Sequence, residues 1–262
     1  MSHVAFLLGK APKVSTIFPE VFDRLAGAGV DTSVHLPHDE TIDHDVVASA
    51  DLVVQRGLNA AAMESVADLH VAGAALINSY AGVLGLVDRV AMLRALEGLP
   101  VPATTVVDSW PEVAAAAGER RCVVKSAGGP GRGQSIVVGT ADELRIDRGL
   151  EPPFLVQDYV MAGEFDHKLY LVGDQVRGLL KPSPLAVGHT TEGAVFTPDT
   201  SLVTLARAVR ERLDLDFLGV DVLVSEHGPV VVDVNDFPGY RGVDDAAELV
   251  AAHLLERLER AA

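Results

Sequence analysis

The runs Gly219-Val220-Asp221-Val222-Leu223 and Val230-Val231-Val232-Asp233-Val234-Asn235, joined by the turn Glu226-His227-Gly228, decide the fold. Two apolar, β-branched runs around a glycine turn predict strands at Leu218–Val224 and Pro229–Val234. The hairpin makes them antiparallel neighbours and can bring Asp221 beside Asp233 and Asn235. A carboxylate inside a β-branched run is costly to bury unpaired. Two carboxylates and an amide oxygen are hard ligands, the set Mg²⁺ takes alongside phosphate oxygens. The plain alternative is an edge strand whose acids point to solvent.

Outward from the hairpin, Leu202, Leu205, Ala206, Val209 and Leu213 share one face of a helix with Thr200 or Ser201 as expected cap. Ala246–Leu258 predicts the closing helix. Upstream lie strand-like runs at Phe154–Val160, Lys168–Val172 and Gln175–Leu180, after Pro152 and Pro153. The strand Cys122–Ser126, the glycine-rich Gly128–Gly133 and the strand Ser135–Val138 follow one another. No helix follows the glycines, which excludes the Rossmann and P-loop orders and leaves a hairpin lid. A helix at Arg89–Glu97, a strand at Thr104–Val107 and a helix at Pro111–Ala117 precede it. The first third alternates: strand Val4–Leu8, a helix opened by Pro19 and closed by Gly29, strands Thr32–His35 and Leu52–Gln55, helix Ala60–Ala72, strand Ala75–Ile77. That rhythm predicts a small parallel sheet with helices on both faces.

Bulk properties narrow the function. The 262 residues are 48% hydrophobic and 22% charged, ordinary for a globular chain. A net charge of -16 repels nucleic acid and membrane surfaces, so neither is an expected partner. It also argues against a polyanionic substrate unless basic residues are concentrated locally. No apolar run reaches the roughly 18 residues of a membrane span, and Met1–Lys10 is too short for a signal peptide. The single cysteine, Cys122, reads as core and fits a reducing, cytoplasmic setting.

Lys125 at the end of an apolar strand suits an anion, and neighbouring glycines can offer backbone N–H groups to phosphate; a solvated strand-end lysine is the alternative. Asp166 and Lys168 flank His167 and share a strand face, which also fits a cross-strand surface ion pair. Lys181, before Pro182, is similarly ambiguous.

In order, these residues resemble the ATP-grasp superfamily, in particular RimK-like and LysX-like amino-acid ligases, from about Leu52 to Leu255. Asp88-Arg89 looks like the family's Asp-Lys pair. Lys125 with Gly129, Gly131 and Gly133 looks like its strand lysine and lid, and Gln157-Asp158-Tyr159 like the hinge whose backbone contacts adenine. Asp166-His167-Lys168 is similar to its Asp-x-Arg strand, and Asp221, Asp233 and Asn235 to its metal set, followed by Pro238-Gly239. Arg89, Asp158, Asp233 and Lys168 depart from the usual residue; charge sign is kept while reach changes.

The resemblance implies a mixed α/β ATP-grasp fold: an N-terminal parallel-sheet domain (1–86), a central lobe with the lid (87–155) and a metal-bearing C-terminal lobe (156–262). It implies ATP and two Mg²⁺ ions, with Mn²⁺ as a substitute, bound by Arg89, Lys125, Asp166, the hinge, the lid and the metal set. Lys168, Lys181 and Arg241 are the candidates for the γ-phosphate and substrate carboxylate; Arg241 could equally be a solvated loop residue. The implied activity is an ADP-forming ligation of a small carboxylate to an amine through an acyl phosphate. A homo-oligomer is compatible. Lys168-Leu169-Tyr170-Leu171-Val172-Gly173 and Asn235-Asp236-Phe237-Pro238-Gly239-Tyr240 also look like ATP-grasp inositol polyphosphate kinases. The acidic balance, the want of a dense basic cluster and a 181–198 loop holding only His189 and Glu192 weigh against that reading. A nucleotide-binding scaffold is the third reading, disfavoured by an intact metal set.

Overall fold

The computed structural model describes residues 1–128, 136–146, 149–183 and 193–261. The first sheet contains β1 (His3–Leu8), β2 (Asp31–His35), β3 (Leu52–Arg56) and β4 (Leu76–Ile77), all parallel, in the order β2-β1-β3-β4. Helices α1 (Phe18–Gly27), α2 (His44–Ala48) and α3 (Ala60–Val71) make the crossovers. β1 is buried on both faces, which is why it reads as an unbroken apolar run. Its Val4, Phe6 and Leu8 pack toward α1, while Ala5 and Leu7 pack toward α3. Pro19 opens α1 as expected, and Gly29 (φ 77°) takes the left-handed turn after it.

After α4 (Tyr80–Leu84) and α5 (Arg89–Ala95) comes a second, antiparallel sheet in the order β5-β8-β6-β7. Its strands are β5 (Thr104–Val107), β6 (Cys122–Ser126), β7 (Ile136–Gly139) and β8 (Phe154–Asp158). α6 (Trp110–Ala117), started by a Ser109/Glu112 capping box, covers one face with Trp110, Val113 and Ala117. Cys122 is fully buried there, a core residue, and burial pushes its thiol pKa up. The expected boundary at 155/156 falls within β8, which pairs wholly inside this sheet.

The third sheet is antiparallel in the order β11-β10-β9-β12-β13. It comprises β9 (Phe165–Val172), β10 (Gln175–Pro182), β11 (Ala194–Phe196), β12 (Phe217–Ser225) and β13 (Gly228–Asp236). α7 (Thr200–Leu213) packs Leu202, Leu205, Ala206 and Val209 against Leu169, Leu171, Val220 and Val222. α8 (Ala246–Ala261) joins Tyr170, Phe217 and Phe237 on the opposite side. The expected cap of α7 is corrected: Asp199, one residue earlier, accepts from the Leu202 N–H at 3.0 Å, and Ser201 Oγ instead bonds Asp199.

Asn78 holds the first sheet to the third. Its Nδ2 donates to Phe217 O (2.8 Å), its Oδ1 accepts from Phe217 N–H (2.7 Å), and its own carbonyl accepts from Gln55 Nε2 (2.8 Å), all buried. An amide imitating a strand partner satisfies both backbone groups of Phe217, which buried and unpaired would cost about 1–3 kcal/mol each.

Candidate functional site

Antiparallel register places the polar residues of the third sheet on one face in rungs. Lys181 on β10 lies opposite Asp166 on β9. Lys168 on β9 lies opposite Asp221 on β12, which lies opposite Asp233 on β13. The next rung is Tyr170, Gly219 and Asn235. Gly219 keeps this rung open: a Cβ there would sit 3.2 Å from Pro238 Cγ and 3.7 Å from Lys168 Cε. The hairpin reading of Asp221, Asp233 and Asn235 therefore acquires a definite geometry, and a bulge at Val232, which has no partner on β12, bends β13 beside Asp233.

The rungs open onto a cleft of about 220 Å³ between the second and third sheets, lined by Arg89, Lys125, Gln157, Asp166, Asp221 and Asp233 among others. Arg89 and Lys125 are almost fully buried cations. Arg89 donates from its backbone N–H to Ala127 O (2.9 Å) and from Nη1 to Ser126 O (2.7 Å), which locks the start of α5 to the end of β6. Lys125 Nζ donates to Val232 O (3.2 Å). Burial lowers its pKa; Asp233 opposes that shift and Arg89 adds to it. Burial likewise raises the pKa of Asp166, whose Oδ1 has no hydrogen-bond partner among the described residues. A cleft walled by two buried cations and an underserved carboxyl is built for a charged ligand.

Gln157, Asp158 and Tyr159, the residues expected to form a hinge, line the same cleft. Gln157 turns its amide inward to Thr104 Oγ1 (3.0 Å), and Asp158 pairs with Arg120. The backbone N–H groups of Asp158 and Tyr159 donate to Ala103 O (2.9 Å) and Arg121 O (3.1 Å). Their amide donors are thus taken by the protein. Gly129, Gly131 and Gly133, like His189 and Glu192, lie outside the described residues.

The donor set fits a divalent ion held together with phosphates. Asp221 and Asp233 are cross-strand neighbours, and Asn235 follows two residues on along β13. Among the described residues no group of three His, Cys, Asp or Glu side chains is placed to hold an ion alone. One or two carboxylates completed by phosphate oxygens is the usual arrangement for Mg²⁺. One feature runs against a ready-made site: Lys168 Nζ sits 2.7 Å from Asp221 Oδ1.

A second cavity, of about 520 Å³, adjoins the Asn235 end of the rungs. It corrects the expectation that the chain lacks a dense basic cluster: Lys10, Arg56, Lys168, Lys181 and Arg241 all line it. Lys10 and Arg56 were missed in the sequence because Lys10 lies two residues past β1 and Arg56 ends β3, far along the chain from the other candidate residues. Arg56 Nε donates to Phe237 O (2.8 Å), and its guanidinium lies over the rings of Phe18 and Phe237. Lys181 Nζ is 3.4 Å from Tyr170 Oη; burial lowers its pKa, and the like charges of Lys168 and Arg241 add to that.

Comparison with known proteins agrees with this architecture. Residues 185–256 match the family model of the inositol 1,3,4-trisphosphate 5/6-kinase ATP-grasp domain. A probable alpha-L-glutamate ligase of Trichodesmium erythraeum is 34% identical over 122 residues, 43% of this chain and 40% of that protein. Another, from Azotobacter vinelandii, is 28% identical over 190 residues, 66% of this chain and 62% of that protein. The chain thus spans less than two thirds of the length of these relatives. Among solved structures, a RimK domain ATP-grasp protein from Sphaerobacter thermophilus superposes with a TM-score of 0.76 at 24% identity, covering 97% of this chain and 100% of that one. D-cycloserine synthetase DcsG gives 0.74 at 20% identity, covering 97% and 99%. The ATP-grasp ligase PsnB, complexed with a minimal precursor, Mg and ADP, gives 0.71 at 17% identity, covering 97% of both chains.

Proposed function

We infer, from its being an ATP-grasp protein similar to RimK-type alpha-L-glutamate ligases, that the chain is an ATP-dependent carboxylate–amine ligase forming an amide through an acyl phosphate. The observation that carries this reading is the rung Lys168–Asp221–Asp233, set between a cleft with buried cations and a separate basic cavity. One cavity suits a nucleotide, the other an acid, and the rung lies where the two meet.

In this reading Arg89 and Lys125 hold the α- and β-phosphates, Asp166 and the hinge line the nucleotide cleft, and Asp221, Asp233 and Asn235 hold Mg²⁺ with the phosphate oxygens. The metal supplies charge neutralisation in the phosphoryl-transfer transition state. Lys168 and Lys181 take the γ-phosphoryl oxygens, and Arg241 orients the acid. A substrate carboxylate oxygen attacks the γ-phosphorus, the bond to the β-phosphate oxygen breaks, and ADP leaves. The amine then attacks the acyl carbon, phosphate departs, and the amine loses a proton. The buried setting strengthens each electrostatic contact relative to water.

A specific observation favours a second reading. The match of residues 185–256 to a trisphosphate kinase domain, together with five cations round one cavity, suits phosphoryl transfer to a polyol phosphate. A screen of ADP release from Mg-ATP over acids with paired amines, and over polyol phosphates, tests the two. ADP release needing both an acid and an amine supports the ligase; release on a polyol phosphate alone supports the kinase.

A further inference from the structure

The order β2-β1-β3-β4 puts a topological switch point between β1 and β3: the chain leaves β1 for β2 on one side, then returns to build β3 and β4 on the other. In open parallel sheets the crevice outside the carboxyl ends of such strands is where ligands bind. Here the two strand ends are held tightly together. The Gly9 N–H donates to Arg56 O (3.0 Å), and a Cβ on Gly9 would lie 2.0 Å from Gly57 O, so only glycine fits. That contact places Lys10 and Arg56 on one wall of the basic cavity.

Counting charge round the cavity leaves a surplus. Lys168 is matched by Asp221, and Arg56 feels the charge of Asp236. Among the described residues Asp236 is the one carboxylate in the lining. Among the described residues Lys10, Lys181 and Arg241 form no ion pair. After the γ-phosphoryl group takes Lys168 and Lys181, Arg241 suffices for one substrate carboxylate. Lys10, exposed two residues past β1, is left facing the cavity with no charge among the described residues to balance it. In a chain of net charge -16, such a surplus at a switch point is a local inversion of the protein's field.

We propose that the crevice at the ends of β1 and β3 is an anion subsite in which Lys10 recognises a second anionic group, a carboxylate or a phosphate, on the acid substrate. The allotment of Lys168, Lys181 and Arg241, like the identity of the reacting group as a carboxylate, rests on the ligase reading; the position of Lys10 on the cavity wall does not. Lys10 is a specificity-determining residue, and Arg56 positions the wall through its bond to Phe237 O.

Calorimetric titration of the full chain at low salt tests this, with Mg²⁺ and the non-hydrolysable analogue AMP-PNP present or absent. The probes are butyrate, succinate and 3-phosphonopropionate. At least one of the two dianionic probes is expected to bind about tenfold or more tightly than butyrate. Whichever is tighter identifies the second group. Lys10→Ala is expected to erase that preference, with AMP-PNP binding unchanged. Lys10→Arg should retain most of it. Equal binding of all three probes, binding of none, or an undiminished preference in Lys10→Ala overturns the subsite. Failure of AMP-PNP to bind while the preference and its loss persist overturns the ligase reading and leaves the subsite standing.

Discussion

Lys168 Nζ lies 2.7 Å from Asp221 Oδ1, directly across the β9–β12 ladder, with both side chains largely screened from water. An internal cation therefore already occupies a carboxylate assigned to metal, so ion binding must compete with it. Lys168→Met is expected to raise Mn²⁺ affinity several-fold without nucleotide, read by electron paramagnetic resonance of free Mn²⁺, while turnover falls by about 10²-fold. Lys168→Arg keeps the charge and should stay closer to the parent in both. Unchanged Mn²⁺ affinity in Lys168→Met would show that the pair does not guard the site.

Asp233→Ala and Asn235→Ala should each lower turnover by roughly 10²–10³-fold, because charge stabilisation of the transferring group is a large catalytic effect. Both side chains are only partly buried, so folding should survive. Circular dichroism checks the fold and ADP release the rate. Near-parental rates in both variants remove the metal assignment.

The ammonium of Lys125 is held in a buried place whose pKa-lowering cause is loss of solvent. Its folded pKa lies below the ordinary 10.5, so between those two values the unfolded chain binds more protons and stability rises with pH. Lys125→Met should remove this burden and stabilise the ligand-free protein by about 1 kcal/mol or more, by analogy with other buried charges replaced by apolar groups. The same variant should lose the thermal shift given by AMP-PNP. A variant that is less stable and still responds to the nucleotide analogue would contradict the assigned role.

Particular residues show what the sequence made legible. The two apolar runs around Gly228 and their turn made the hairpin legible, but the pairing of Asp221 with Asp233 depends on the extra residue Val232, which shifts the register by one and leaves no local signal. The parallel sheet was legible from its apolar runs in the same way. Lys10 and Arg56 were not: each is a lone cation after a strand, and only the strand order β1-β3 and the Phe237 contact bring them to Lys181 and Arg241. The short elements α2, α4 and β11 also escaped, since a five-residue helix holds little more than one turn and a three-residue strand a single alternation. The α7 cap was misplaced by a residue because Asp199, Thr200 and Ser201 are all competent cap residues and only the Leu202 contact separates them.

Asp216 anchors α8: its Oδ1 lies 2.8 Å from His253 Nε2, and its two oxygens lie 3.0 and 2.9 Å from Arg257 Nη1. Burial works to raise its pKa, but the His253 hydrogen bond and the charges of His253, Arg257 and Arg210 outweigh it, leaving it below 3.8. A lowered folded pKa gives stability that is fully present above 3.8 and lost as pH falls through the folded value. Asp216→Asn should therefore lower Tm at neutral pH, and its deficit should shrink as pH falls below 3.8. A deficit that stays constant across that range would mean that packing, not charge, anchors the helix.

The fate of the γ-phosphate tests the central claim most directly. A ligase puts it on an acid and then releases it, whereas a kinase leaves it on its product. With Mg-ATP and the acceptor acid, ³¹P spectra should show ADP together with free phosphate only when an amine is supplied. Hydroxylamine in place of the amine should trap the acyl phosphate as a hydroxamate of that acid. Phosphate recovered as an ester on a polyol, with no hydroxamate from any acid, would contradict the ligase account.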